Sequence, residues 1–232
     1  MDELGGTLAL RRHWCRPDEP VLLCVRCHPT GVRFDMGGLD WRGLPKKGAR
    51  AVMDVVGRGV DFVDRDLGQT MTHPVLVVHG AEPGTLAGRA VLPVPSGPRA
   101  WVLTPYRIGV VDIVPGPAAE ARAAAEREAG GGLLSRARRI ASGAAEIGRS
   151  LGRDHPYPPG EPVPLAGVAA VAEIPAAEIA GIGLDRRRLP PGYHPRRVPV
   201  LRVALRDGSG FDVVAPDDEA AGRLARMTAR TP

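Results

Sequence analysis

The chain reads as an α+β domain in which short antiparallel strands are closed by a C-terminal helix and interrupted by helical insertions. Three observations carry this. Leu201, Val203 and Leu205 alternate with Arg202, Ala204 and Arg206, the period-two pattern of a half-buried strand. Asp207-Gly208-Ser209-Gly210 then supplies turn chemistry before a return strand over 211–214, and Pro216 with Asp217, Asp218 and Glu219 opens a terminal helix with its acids at the positive end of the dipole. Finally, 30 glycines and 24 prolines in 232 residues demand many turns, which argues against a helical bundle.

Taken in order, Glu19-Pro20 leads into a first strand over 21–27, and 31–43 reads as loop. Residues 46–67 carry a helical pattern, with Val52, Val55, Val56, Val60, Val63 and Leu67 on one side and Asp54, Asp61 and Asp64 on the other. Strands are expected over 75–79 and 88–94, then a hairpin of 101–103 and 107–113 around Thr104-Pro105. An Ala-rich helix over 118–129, a triple-glycine break, a second helix over 133–151 and a Pro-rich linker over 154–164 follow. Strands return at 168–174 and 178–184, and an arginine-rich loop over 186–197 leads into the terminal hairpin. Leu205 and Phe211 share a face only if the hairpin loop is odd in length, which predicts a loop of Asp207-Gly208-Ser209 with a bulge at Gly210. Ala220, Leu224 and Met227 form the apolar stripe of the last helix. The whole of 1–232 is one domain, with insertions at about 44–68 and 117–164.

This order of elements resembles a bacterial pleckstrin-homology-like domain. Glu19-Pro20-Val21-Leu22 is similar to the family's first-strand opening, and Trp101-Val102-Leu103-Thr104-Pro105-Tyr106-Arg107 to its Thr-x-x-Arg hairpin. Ile174-Pro175-Ala176-Ala177-Glu178-Ile179 resembles its entry to the fifth strand, and Asp207-Gly208-Ser209 with the helix after it resembles its close. The resemblance implies an antiparallel β-barrel or sandwich of two near-orthogonal sheets closed by a C-terminal helix. It also implies a binding module rather than an enzyme, with no ligand common to the family. The phosphoinositide site of eukaryotic members is matched only loosely, by Lys46, Lys47 and Arg50.

The net charge of +5 and a pI near 9.6 favour anionic partners, although Arg outnumbers Lys so heavily (only Lys46 and Lys47) that a high-GC bacterial genome accounts for much of it. No secretory signal is visible in the first ten residues, and no run approaches the roughly 18 apolar residues of a membrane span, so the chain is predicted to be cytoplasmic. Three cysteines do not make a disulfide framework.

Several stretches have the residue types of a reactive site. Cys24-Val25-Arg26-Cys27-His28 matches the haem c attachment pattern, yet on a strand Cys24 and Cys27 point to opposite faces. His13, Cys15, Cys24 and Cys27 have the ligand count of a zinc site without its knuckle turn. Asp61, Asp64 and Asp66 read as a solvated face rather than a hard-cation site. A serine hydrolase would use His79-Gly80 after an oxyanion strand, Ser150 in Gly-Arg-Ser-Leu-Gly, and Asp185 with His194. That elbow requires a strand before the Ser, and here a helix precedes it.

The reading is therefore a non-catalytic cytoplasmic module with no cofactor or metal. It docks a protein partner or lies peripherally at the anionic inner membrane face. The candidate contact residues are Arg136, Arg138, Arg139, Arg149 and Arg153 on the basic amphipathic helix, and Arg186, Arg187, Arg188, Arg196 and Arg197 in the arginine-rich loop. The competing readings are the hydrolase on Ser150 and a phosphate-backbone binder, for which only Tyr193 offers an aromatic platform.

Overall fold

The computed structural model describes residues 6–28, 30–46, 73–92, 98–116 and 165–229. Nine strands form two sheets. The four-stranded sheet runs β1 (Leu23–Cys27), β4 (Arg99–Leu103), β5 (Arg107–Val114), β6 (Gly167–Pro175), all antiparallel. The five-stranded sheet runs β2 (Val32–Met36), β3 (Leu76–Gly80), β9 (Gly210–Val214), β8 (Arg197–Leu205), β7 (Ile179–Arg188). Only the β2–β3 pair in it is parallel. Among the described residues no strand is shared between the sheets, so they form an open sandwich rather than a closed barrel.

The alternation that defines these strands also builds the core. Leu201, Val203, Leu205, Phe211 and Val213 face Leu23, Cys27, Trp101, Leu103, Ile108 and Val110 of the other sheet, and all are buried. Trp101 and Phe211 meet across the gap with ring centroids 5.4 Å apart. The short helix α1 (Thr7–His13) covers the outer face of the four-stranded sheet through Leu10, which packs with Ala100, Val102 and Val111. On the outer face of the five-stranded sheet, Leu189, Tyr193, Val198 and Val200 cluster with Trp41.

The structure departs from the sequence expectations at named places. The expected loop over 31–43 contains β2, whose Val32, Phe34 and Met36 are buried while Arg33 and Asp35 point away. The expected strand over 88–94 is instead α2 (Leu86–Val91). Its free N–H groups are met from a distant turn, Leu86 donating to Asp207 (2.6 Å) and Ala87 to the Ser209 hydroxyl (3.2 Å). The β8–β9 loop is odd in length as parity requires, but it lies one residue earlier. Leu205 is bonded to Ser209, and Gly208, at φ 79°, takes the left-handed position expected of Gly210. The terminal helix α3 (Asp218–Thr228) has Asp217, not Pro216, at its start, its carboxylate accepting the Ala220 N–H at 2.7 Å. Ala220, Ala221 and Thr228 are its buried residues, whereas Met227 is exposed. The helical readings over 47–67 and 118–151 lie outside the described residues.

Candidate functional site

The arginines singled out from sequence divide into three groups. Arg136, Arg138, Arg139, Arg149 and Arg153 lie outside the described residues. Arg187 does not belong to a loop surface: residues 179–188 are strand, and its alternation turns Arg187 onto the outer face, where it is buried. There it pairs with Asp212 on β9 and Asp35 on β2. Arg196 donates to the carbonyl of Leu189 (3.3 Å), pinning the β7–β8 connection. Arg186 forms an exposed pair with Asp218 at the first turn of α3 (2.6 Å). Arg188 and Arg197 stand directly opposite each other, both exposed, and neither has a carboxylate partner among the described residues. Like charges in that position repel.

Asp212 is the hub of the outer face. It is fully buried and also accepts from Arg202 (2.8 and 3.1 Å), which in turn pairs with Asp185. Burial alone would push its carboxyl up, but the bonds from Arg202 and the charge of Arg187 hold it below the usual range. His79 lies 3.7 Å from it, and burial, reinforced by Arg187 and Arg202, outweighs Asp212 and keeps the imidazole pKa below its ordinary value. Its Nε2 has no hydrogen-bond partner among the described residues.

A second saturated cluster lies in the four-stranded sheet. Arg107 reaches Glu19 (2.8 and 3.1 Å), Glu173 (3.0 and 3.1 Å) and the carbonyl of Trp14 (3.1 Å), with the Trp14 ring 4.2 Å from its guanidinium. Thr104 donates to Glu19 (2.8 Å) and accepts from the N–H groups of Tyr106 and Arg107. Glu19, Thr104 and Arg107, three residues that carry the family resemblance, thus meet in one buried network. A cleft of about 260 Å³ beside it is lined by Arg11, Arg12, Cys15 and Arg16.

Among the described residues the cysteines are not activated. Burial, then the nearby Glu19, raises the Cys15 thiol; burial raises Cys24 and pushes Cys27 up to about 12, so none is an activated thiolate. Cys24 and Cys27 sit in different clusters on opposite faces of β1, as their spacing on a strand requires. Among the described residues no three His, Cys, Asp or Glu converge as metal ligands. Asp185 is ion-paired to Arg202, His194 is exposed on the connection after β7, and Ser150 lies outside the described residues.

One terminal strand of the five-stranded sheet, β7, combines an edge with exposed aliphatic side chains. No described strand lies beyond β7. Leu189 donates inward to Arg196 (2.7 Å), so the alternation of an antiparallel pair turns the N–H groups of Arg188, Arg186, Leu184 and Ile182 outward. On the core-facing side, the side on which the terminal helix packs, Ile182 and Leu184 remain exposed, Leu184 at 56%. On the opposite face, Gly181 and Gly183 have open space where a Cβ would stand. Sequence reasoning passed over this strand edge, although glycines alternating with aliphatics in a strand are a signal of close backbone approach.

A comparison of the chain with protein-family models, curated proteins and solved structures finds no match. No helix among the described residues is long and apolar enough to cross a membrane.

Proposed function

We propose that the chain is a non-catalytic, pleckstrin-homology-like binding module that takes an extended polypeptide against the open edge of β7, in the groove beside α3. The observation that carries this is the β7 edge, unpaired among the described residues, with outward N–H groups and exposed Ile182 and Leu184 close together on one face. An incoming strand would gain main-chain hydrogen bonds there, and the two aliphatic side chains would supply apolar contact. Support for the pleckstrin-homology-like reading comes from the two mostly antiparallel sheets, the C-terminal helix, and the Glu19–Thr104–Arg107 network. A photoreactive amino acid at position 184 tests the site. The expected outcome is a covalent polypeptide adduct from position 184 and none from position 223, on the exposed face of α3. Equal adducts from both positions, or none from 184, would sink the proposal.

A second reading, binding to an anionic membrane face, is favoured by Arg188 and Arg197 at the end of the same hairpin, which have no carboxylate partner among the described residues. Each basic residue near such a surface contributes about 1 kcal/mol. Flotation on anionic but not zwitterionic vesicles, lost in Arg188→Glu/Arg197→Glu, is its expected result. Flotation unaffected by the pair of substitutions would remove it.

A further inference from the structure

Resting on the reading of β7 as a docking edge, we infer that the strand added to it is β7 of a second copy of this chain, related by a two-fold axis through Gly183. The edge is self-complementary in charge. Glu178 precedes β7 and Arg188 ends it, and neither side chain has an ionic partner among the described residues. Antiparallel approach brings Arg188 of each copy to the level of Glu178 of the other, twice by symmetry. Parallel approach in register would set Arg188 against Arg188, a repulsive arrangement.

The backbone agrees with the same register. A two-fold axis at Gly183 places Ile182 opposite Leu184 of the second copy, again twice. Both residues turn their N–H groups outward, so their ladders pair without a slip. Both side chains lie on the core-facing side, next to α3, where the four aliphatic groups of the two copies cover one another. On the other face of the seam Gly183 meets Gly183 and Gly181 meets Asp185 of the second copy, so nothing bulky opposes the approach. The two five-stranded sheets become one continuous sheet. This removes the exposed edge that would otherwise invite unspecific pairing.

The test is sedimentation velocity on the full chain at rising concentration, with hydrogen exchange read at the amides of Ile182 and Leu184. The expected result is a species of twice 24.5 kDa, with both amides protected. Leu184→Lys, changing an exposed residue at two symmetric contacts, should weaken association by about a hundredfold, and Ile182→Lys should act in the same direction. Arg188→Glu or Glu178→Arg alone should weaken it about threefold to tenfold, and the two together should restore it. A wild-type chain that stays monomeric at about 100 µM would overturn the inference, since an affinity weaker than that does not sustain a dimer. In that monomer, fast exchange at both amides leaves the edge free for another polypeptide, whereas protection means this chain covers its own edge and the underlying reading also fails. A dimer indifferent to both lysine substitutions overturns the inference as well.

Discussion

The outer face of the five-stranded sheet and its β7 edge lie within one strand of each other and behave as opposites. The outer face holds Arg187, Arg202, His79, Asp35 and Asp185 around a fully buried Asp212, the densest charge in the described structure. The edge holds glycine, isoleucine and leucine. Yet the carboxylate of Asp212 is satisfied from several sides, while the edge leaves backbone donors and two aliphatic side chains open. Residues with reactive-looking side chains are here ion-paired, and under the proposed function it is the uncharged stretch Ile182-Gly183-Leu184 of β7 where a partner has something to gain. Arg187 and Arg188, adjacent in sequence, fall on either side of that division because strand alternation sends them to opposite faces.

Substitutions can sharpen this contrast. The largest effect is expected at Asp212. Asp212→Ala leaves Arg187 and Arg202 without their shared counter-charge and should cost about 3–5 kcal/mol of unfolding free energy in urea. Gly109→Ala should cost about 1–3 kcal/mol, because a methyl there drives into the Trp14 ring that lies over β5. A smaller effect is expected from pH. The His79 pKa is depressed in the folded chain, so its contribution is fully present above the unfolded value of about 6.5 and is lost as pH falls below it. His79→Gln should flatten the stability profile between about pH 6.5 and 5. Smallest is the exposed Arg186–Asp218 pair, where Arg186→Ala should change stability by less than about 1 kcal/mol.

How far these two regions were legible in sequence depended on whether their determinants were local. The β8–β9 hairpin was readable because alternation and turn residues are contiguous, and parity alone required an odd loop. Its special glycine was placed at Gly210 rather than Gly208, two residues too late, because Asp207-Gly208-Ser209-Gly210 offers two glycines. The β2 pattern of Val32, Phe34 and Met36 was present but hidden among Gly31, Gly37 and Gly38, and its parallel partner is β3, far along the chain. The helix α2 had no local signature, since its capping groups, Asp207 and Ser209, come from the other end of the sequence. The burial of Arg187 likewise depends on Asp212 and Asp35, carboxylates that no motif connects to it. An open edge is a property of strand order, and strand order is not written in any one segment.

The central claim is that the exposed edge of β7, at Ile182 and Leu184, serves association and not folding. Leu184→Lys measured for both in parallel tests it most directly, by urea unfolding and by sedimentation velocity. The account predicts unfolding free energy within about 0.5 kcal/mol of the unmodified chain, together with loss of the associated species. A clear loss of stability with association unchanged would contradict it, because Leu184 would then belong to the core of the fold.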